Sequence, residues 1–195
     1  MNLLRNIFAI FGLLFMVTIL VIVLWAEPGL LRIGELDEGA LRTYSRMAHT
    51  LLETGSAAEA TVVKVKVKEG LTAEEVEDAM LSVATEHNIR DVGKLPLYKQ
   101  VAAMTGKPYR FMKIYMFCNP LTAARMLDYN DAFSAYLPCR VALVESKTGE
   151  LWLYTLDMDL MIHGGHPLPE DLKTEALRVQ TVINDIMQRG AAGEF

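Results

Sequence analysis

The chain has 195 residues, 52% of them hydrophobic, and its 19 Lys and Arg face 24 Asp and Glu for a formal net charge of -5. An acidic balance without a clustered basic face excludes a phosphate-backbone binder, because nucleic-acid recognition rests on a Lys/Arg footprint. The two cysteines, Cys118 and Cys139, are too few for a disulfide scaffold and do not make a zinc site by themselves.

The first element is an uncharged apolar run from Ile7 to Ala26, with Ile7, Phe11, Leu14, Ile19, Val23 and Trp25 spread along it. A helix rises about 1.5 Å per residue, so such a run covers the roughly 30 Å of bilayer hydrocarbon with every backbone polar group bonded internally. A cleaved secretory signal has an apolar core of about 7 to 15 residues and a small-x-small exit. Here a cut after Ala26 would have Leu24 and Trp25 before it, and a cut after Gly29 would have Glu27 and Pro28, so a retained anchor is expected. Arg5 precedes the run and Arg32 follows it, a thin basic bias that favours a cytoplasmic N-terminus and a domain on the periplasmic side of the inner membrane. Trp25 would then sit at the exit interface. The expected division is stub and anchor over 1–27, linker and juxtamembrane helix over 28–60, a globular domain over 61–190 and a mobile tail over 191–195.

Asp37 caps an expected helix from Glu38 to Thr54, ended by Gly55, whose apolar residues Leu41, Tyr44, Met47, Ala48, Leu51 and Leu52 need a partner. That partner is either the chain's own domain or a second copy in a dimerising stalk. After a short linker, valine alternates with lysine from Thr61 to Lys68, a half-buried strand with Lys64, Lys66 and Lys68 on its solvated face. Thr72 and Glu75 form a capping box for a helix with Val76, Met80, Val83 and Ala84 inside, ending at His87-Asn88. Weak strand character from Ile89 to Leu95 precedes a short helix, Tyr98 to Met104. An aromatic strand follows from Tyr109 to Cys118, with Phe111, Lys113, Tyr115 and Phe117 on one face. A helix from Leu121 to Leu127 leads to a hairpin of two strands, Leu137 to Glu145 and Leu151 to Leu156, joined at Lys147-Thr148-Gly149. One or two turns over Asp157 to His163 come before a long helix to Arg189, lined by Leu172, Ala176, Val179, Ile183, Ile186 and Met187. The pattern is α+β: one small antiparallel sheet packed by helices.

Two groups carry possible chemistry. Cys118 and Cys139 stand at the ends of expected neighbouring strands beside Asn119 and Arg140, where a disulfide, a soft-metal or redox site, and a pair of buried small hydrophobes are all open readings. Met158, Met161, His163 and His166 offer thioethers and imidazoles for copper, or imidazoles with nearby carboxylates for zinc; haem remains open, although no Cys-x-x-Cys-His attachment occurs. No Gly-rich phosphate loop, Gly-x-Ser-x-Gly elbow or His-Glu-x-x-His is present. The paired carboxylates Glu74-Glu75 and Glu170-Asp171 oppose helix dipoles, which suffices to explain them.

At Phe117-Cys118-Asn119-Pro120 and Leu137-Pro138-Cys139-Arg140-Val141 the chain resembles the prokaryotic domain-of-unknown-function 302 family, over about Thr61 to Leu156. The resemblance implies a TATA-binding-protein-like order, β-α-β-β-β-β-α, and brings no established reaction. An anchor, a membrane-side helix and a long C-terminal helix depart from the minimal family pattern. The expected function is a non-catalytic, membrane-tethered extracytoplasmic binding or accessory module, held to the lipid bilayer and partnered by a second copy or another membrane protein. The alternative is a periplasmic redox, metal- or haem-handling protein using Cys118 and Cys139, and a third reading is an enzyme pocket near Lys113, Tyr115 and Arg140.

Overall fold

The computed structural model describes residues 2–25 and 28–195, in two compact units, Met1–Leu36 and Asp37–Phe195. The first unit holds helix α1 (Asn2–Trp25) and a 3-10 segment over Pro28–Glu35. Within α1 the 18 residues Asn6–Val23 are long and apolar enough to cross a bilayer, and none of them is buried. Thr18, the one hydroxyl in that stretch, donates to the Leu14 carbonyl at 2.8 Å, so its polar group is satisfied inside the helix. The cleavage positions at Ala26 and Glu27 lie outside the described residues, as do the side chains of Arg5 and Trp25.

In the second unit, strands β1 (Val62–Lys66), β2 (Arg90–Leu95), β3 (Met112–Cys118), β4 (Cys139–Glu145) and β5 (Leu151–Leu156) form one antiparallel sheet of order β1-β5-β4-β3-β2. Strand alternation sorts its faces. Tyr115, Phe117, Val141, Leu143 and Leu153 point to one face and are fully buried. Helices α4 (Ala73–Glu86) and α8 (Glu170–Ala192) pack on each other across that face, bringing in Val76, Met80, Val83, Ile183, Ile186 and Met187. Met112, Ile114 and Met116 alternate to the other face and are only half-buried. The capping box at Thr72 and Glu75 is formed, and Asn88 takes the left-handed conformation at φ 54° that ends α4.

The remaining helices are α2 (Ala40–Thr54), α3 (Ala57–Ala60), α5 (Leu97–Thr105), α6 (Pro120–Tyr129) and α7 (Asp159–His163). Four expectations need correction. Asp37 does not cap α2, whose N-cap is Gly39; it is buried and accepts from the Gly39 amide at 2.9 Å and from Lys173 at 2.6 Å. A carboxylate taken out of water is held by the strongest donors in reach, and here those come from α8 as well as from the local turn. The apolar stripe of α2 is not its packing face: Leu41 and Leu52 are 69% and 86% exposed, while Ala40 and Thr43 are buried. Polar contacts hold this helix, with the Tyr44 hydroxyl donating to the Gly164 carbonyl and Arg46 pairing with Asp157 and Asp159 at 2.6 and 2.8 Å. The linker after Gly55 contains the one-turn helix α3, capped by Ser56.

The fourth correction concerns the tail. Helix α8 continues past Arg189 to Ala192, with Gly190 and Ala191 buried, and the Ala191 carbonyl accepts the Lys68 amide at 2.8 Å. Gly190 is required by packing, because a Cβ there would collide with Cγ of Met80 on α4. Gly190→Ala is therefore expected to lower stability by about 1 to 3 kcal/mol through overpacking, read as a lower denaturant midpoint.

Candidate functional site

Cys139 opens β4 directly opposite Phe117 on β3, so it faces the helix-covered side of the sheet. Cys118 is one residue out of phase, opposite Arg90 on β2, at the point where β3 turns into α6. The two thiols are free and half-buried. Burial pushes both upward, Cys118 above its ordinary range and Cys139 to about 11, where the Cys118 thiol adds to the effect. Both stay protonated near neutral pH, which removes the thiolate that a redox or nucleophilic cysteine needs.

A cavity of about 30 Å³ lies against these thiols, and its wall also holds Met126 from α6, Met158 and Met161. The structure thus joins the cysteine group to half of the methionine–histidine group and adds Met126. Met126 is 3% exposed and marked only by its helical spacing, which looks like ordinary core.

The histidines go elsewhere. His163 Nδ1 bonds the Asp37 carboxylate at 2.7 Å and does not line the sulfur cavity. His166 lines a separate groove of about 280 Å³ with Tyr129, Phe133, Tyr136 and Met161. The expected four-residue copper or zinc set is therefore split. Among the described residues no group of three or more His, Cys, Asp or Glu is placed to hold a metal.

Asn119 and Arg140 also have other work. The Asn119 side chain accepts the amides of Leu121 and Thr122 at 3.1 and 3.3 Å, capping α6, with Pro120 at the first helical position. Arg140 is exposed and outside the cavity, and its carbonyl accepts the Thr155 hydroxyl at 2.8 Å. Lys113 and Tyr115 meet not Arg140 but Glu77 on α4, which accepts the Tyr115 hydroxyl at 2.8 Å and pairs with Lys94 and Lys113. Burial opposes ionisation of Glu77, yet the donors Lys113, Lys94 and Tyr115 hold its carboxyl down at about 2. Tyr115 is shifted upward by burial and by that carboxylate, so it keeps its proton.

A further recess was not visible in the sequence. It is a cleft of about 570 Å³ between α2, α3, α8 and the ends of β1 and β5. Arg46 pairs with both Asp157 and Asp159 along it, which leaves the trio one net negative charge, and Gln180 donates to Asp159 at 2.6 Å. Burial would raise the Asp159 carboxyl, but Arg46 and Gln180 bring it below the usual aspartate range. Asn184 and Gln188 follow Gln180 at four-residue steps along one face of α8, exposed and without a side-chain partner among the described residues. The cleft thus offers hydrogen-bonding amides around charges that are already paired.

Comparison with known proteins agrees with the geometry. No curated protein matches the chain. The crystal structure of the uncharacterized conserved protein DUF302 from Bacillus stearothermophilus is similar, with a TM-score of 0.54 at 16% identity, covering 66% of this chain and 97% of that one. At that identity the likeness shows the fold, the α+β sheet and helices described above. The model of the family described as domain of unknown function DUF302 matches residues 63–189, from β1 to the last turns of α8, and the chain belongs to that family.

Proposed function

We propose that this protein is a membrane-tethered, extracytoplasmic, non-catalytic binding module that serves a larger membrane system. The observation that carries the reading is the unburied apolar stretch Asn6–Val23, for which a bilayer supplies the missing apolar surroundings. The cleft beside α8 supports binding over catalysis, since each of its carboxylates is already paired, Asp157 and Asp159 with Arg46 and Glu59 with Lys64, and the groups left over are neutral amides suited to a polar partner surface without further acidic groups. The raised thiols weigh against the redox alternative.

The test is cross-linking of the full chain in native membranes after an alkaline wash, beside an Asn184→Trp variant that fills the cleft. Expected are retention of both chains in the membrane and a discrete cross-linked product that the variant loses. A chain released by the wash, a mature N-terminus near Glu27, or a product indifferent to Asn184→Trp would overturn it.

A further inference from the structure

We propose that the sulfur-lined cavity is a site for one soft monovalent metal ion, Cu(I), held by the Cys139 sulfur and the thioethers of Met126, Met158 and Met161. Five sulfur-bearing side chains line a space of about 30 Å³, and the four proposed ligands among them belong to three separate parts of the fold. They come from β4, from α6 and from the segment around α7. A volume of that order holds one water or one ion. Water needs two to four polar partners, and the polar side chains in this lining, Asn119 and Thr122, are engaged by the α6 amides and by Glu175. Thiolate and thioether sulfur is the donor class that selects Cu(I) over harder divalent ions.

Charge favours one thiolate over two. Binding forms the Cu–S bond to Cys139 and breaks its S–H bond, releasing one proton to solvent with no change of oxidation state. Cu(I) and a single thiolate sum to zero, so a neutral complex with thioether ligands fits an apolar cavity without an uncompensated buried charge. The metal's own charge drives off the proton that burial otherwise keeps on the thiol. Cys118, out of phase with Cys139 across the sheet, serves as wall rather than ligand. Met161 lines both this cavity and the larger groove over Tyr129, Phe133 and His166. The site is independent of the cleft beside α8, with which it shares only Met158.

The experiment is anaerobic titration of the full chain in detergent with Cu(I) against a chromophoric Cu(I) chelator, with folding of each variant checked by circular dichroism. One equivalent of Cu(I) with release of one proton is expected. Cys139→Ser should weaken retention by about 100-fold or more, and the volume-conserving Met161→Leu by about tenfold, while Cys118→Ser changes it little. Failure to compete with the chelator, undiminished binding in folded Cys139→Ser, loss in Cys118→Ser alone, or equal retention of Zn(II) would each overturn the assignment.

Discussion

Replacing Asp37 with alanine is expected to destabilise the folded head by about 3 to 5 kcal/mol, the range for breaking a buried ion pair. The Asp37 side chain is 1% exposed, and its partners Lys173 and His163, at 2.6 and 2.7 Å, are 16% and 13% exposed. Removing the carboxylate leaves the Lys173 ammonium and the Gly39 amide without their acceptor. The acid dependence has a definite sign. Burial opposes ionisation of Asp37, but bonds from Lys173, the Gly39 amide and His163 outweigh it and hold the carboxyl at about 2. The folded value lies below the unfolded one, so the contribution, about 2 kcal/mol, is complete at neutral pH, fades below about pH 5 and is lost as pH falls through the folded value. Denaturant midpoints of the full chain in detergent between neutral pH and pH 3 measure this. Asp37→Asn should flatten that part of the profile, and an unchanged slope would refute the assignment.

Glu77→Ala is expected to cost less, about 2 to 3 kcal/mol, although Glu77 accepts from three donors. The difference lies in solvent access: Lys94 is 30% exposed and recovers water when its partner goes, whereas Tyr115 is fully buried and cannot. The loss should therefore come from the Tyr115 hydroxyl and the Lys113 ammonium. Replacing the group together, Glu77→Leu with Lys113→Met and Tyr115→Phe, should recover most of it, because an apolar set of similar volume has no polar atom to satisfy. Thermal unfolding of the two variants decides the point; a triple variant weaker than Glu77→Ala would show that the cluster adds more than it costs to bury.

Local rules carried far along this chain. The valine–lysine alternation became the edge strand β1, and its solvated lysines found ion pairs, Lys64 with Glu59 and Lys66 with Glu150. Thr72, Glu75 and Asn88 bounded α4 where expected, and the hairpin of β4 and β5 formed around Gly149. These features depend on neighbours a few residues apart, so the sequence displays them directly. Where a side chain's partner was distant, the local reading went wrong. Asp37 looked like a cap and is tied to Lys173, 136 positions away, and Ala191 looked like the start of a loose tail and is buried in α8, its carbonyl accepting the Lys68 amide.

By itself, then, the sequence determined the apolar N-terminal helix, the α+β class and the membership signalled by Cys-Asn-Pro and Leu-Pro-Cys-Arg. Only the tertiary structure decided that Met126 joins Met158, Met161 and the cysteines around one cavity, that His163 is occupied by Asp37, and that α8 lines a cleft with its amides. The reason is the range of the forces involved. Propensity, capping and periodicity act within one or two turns, whereas a cavity is the space left when several elements have buried their own apolar faces, and no single segment encodes its shape.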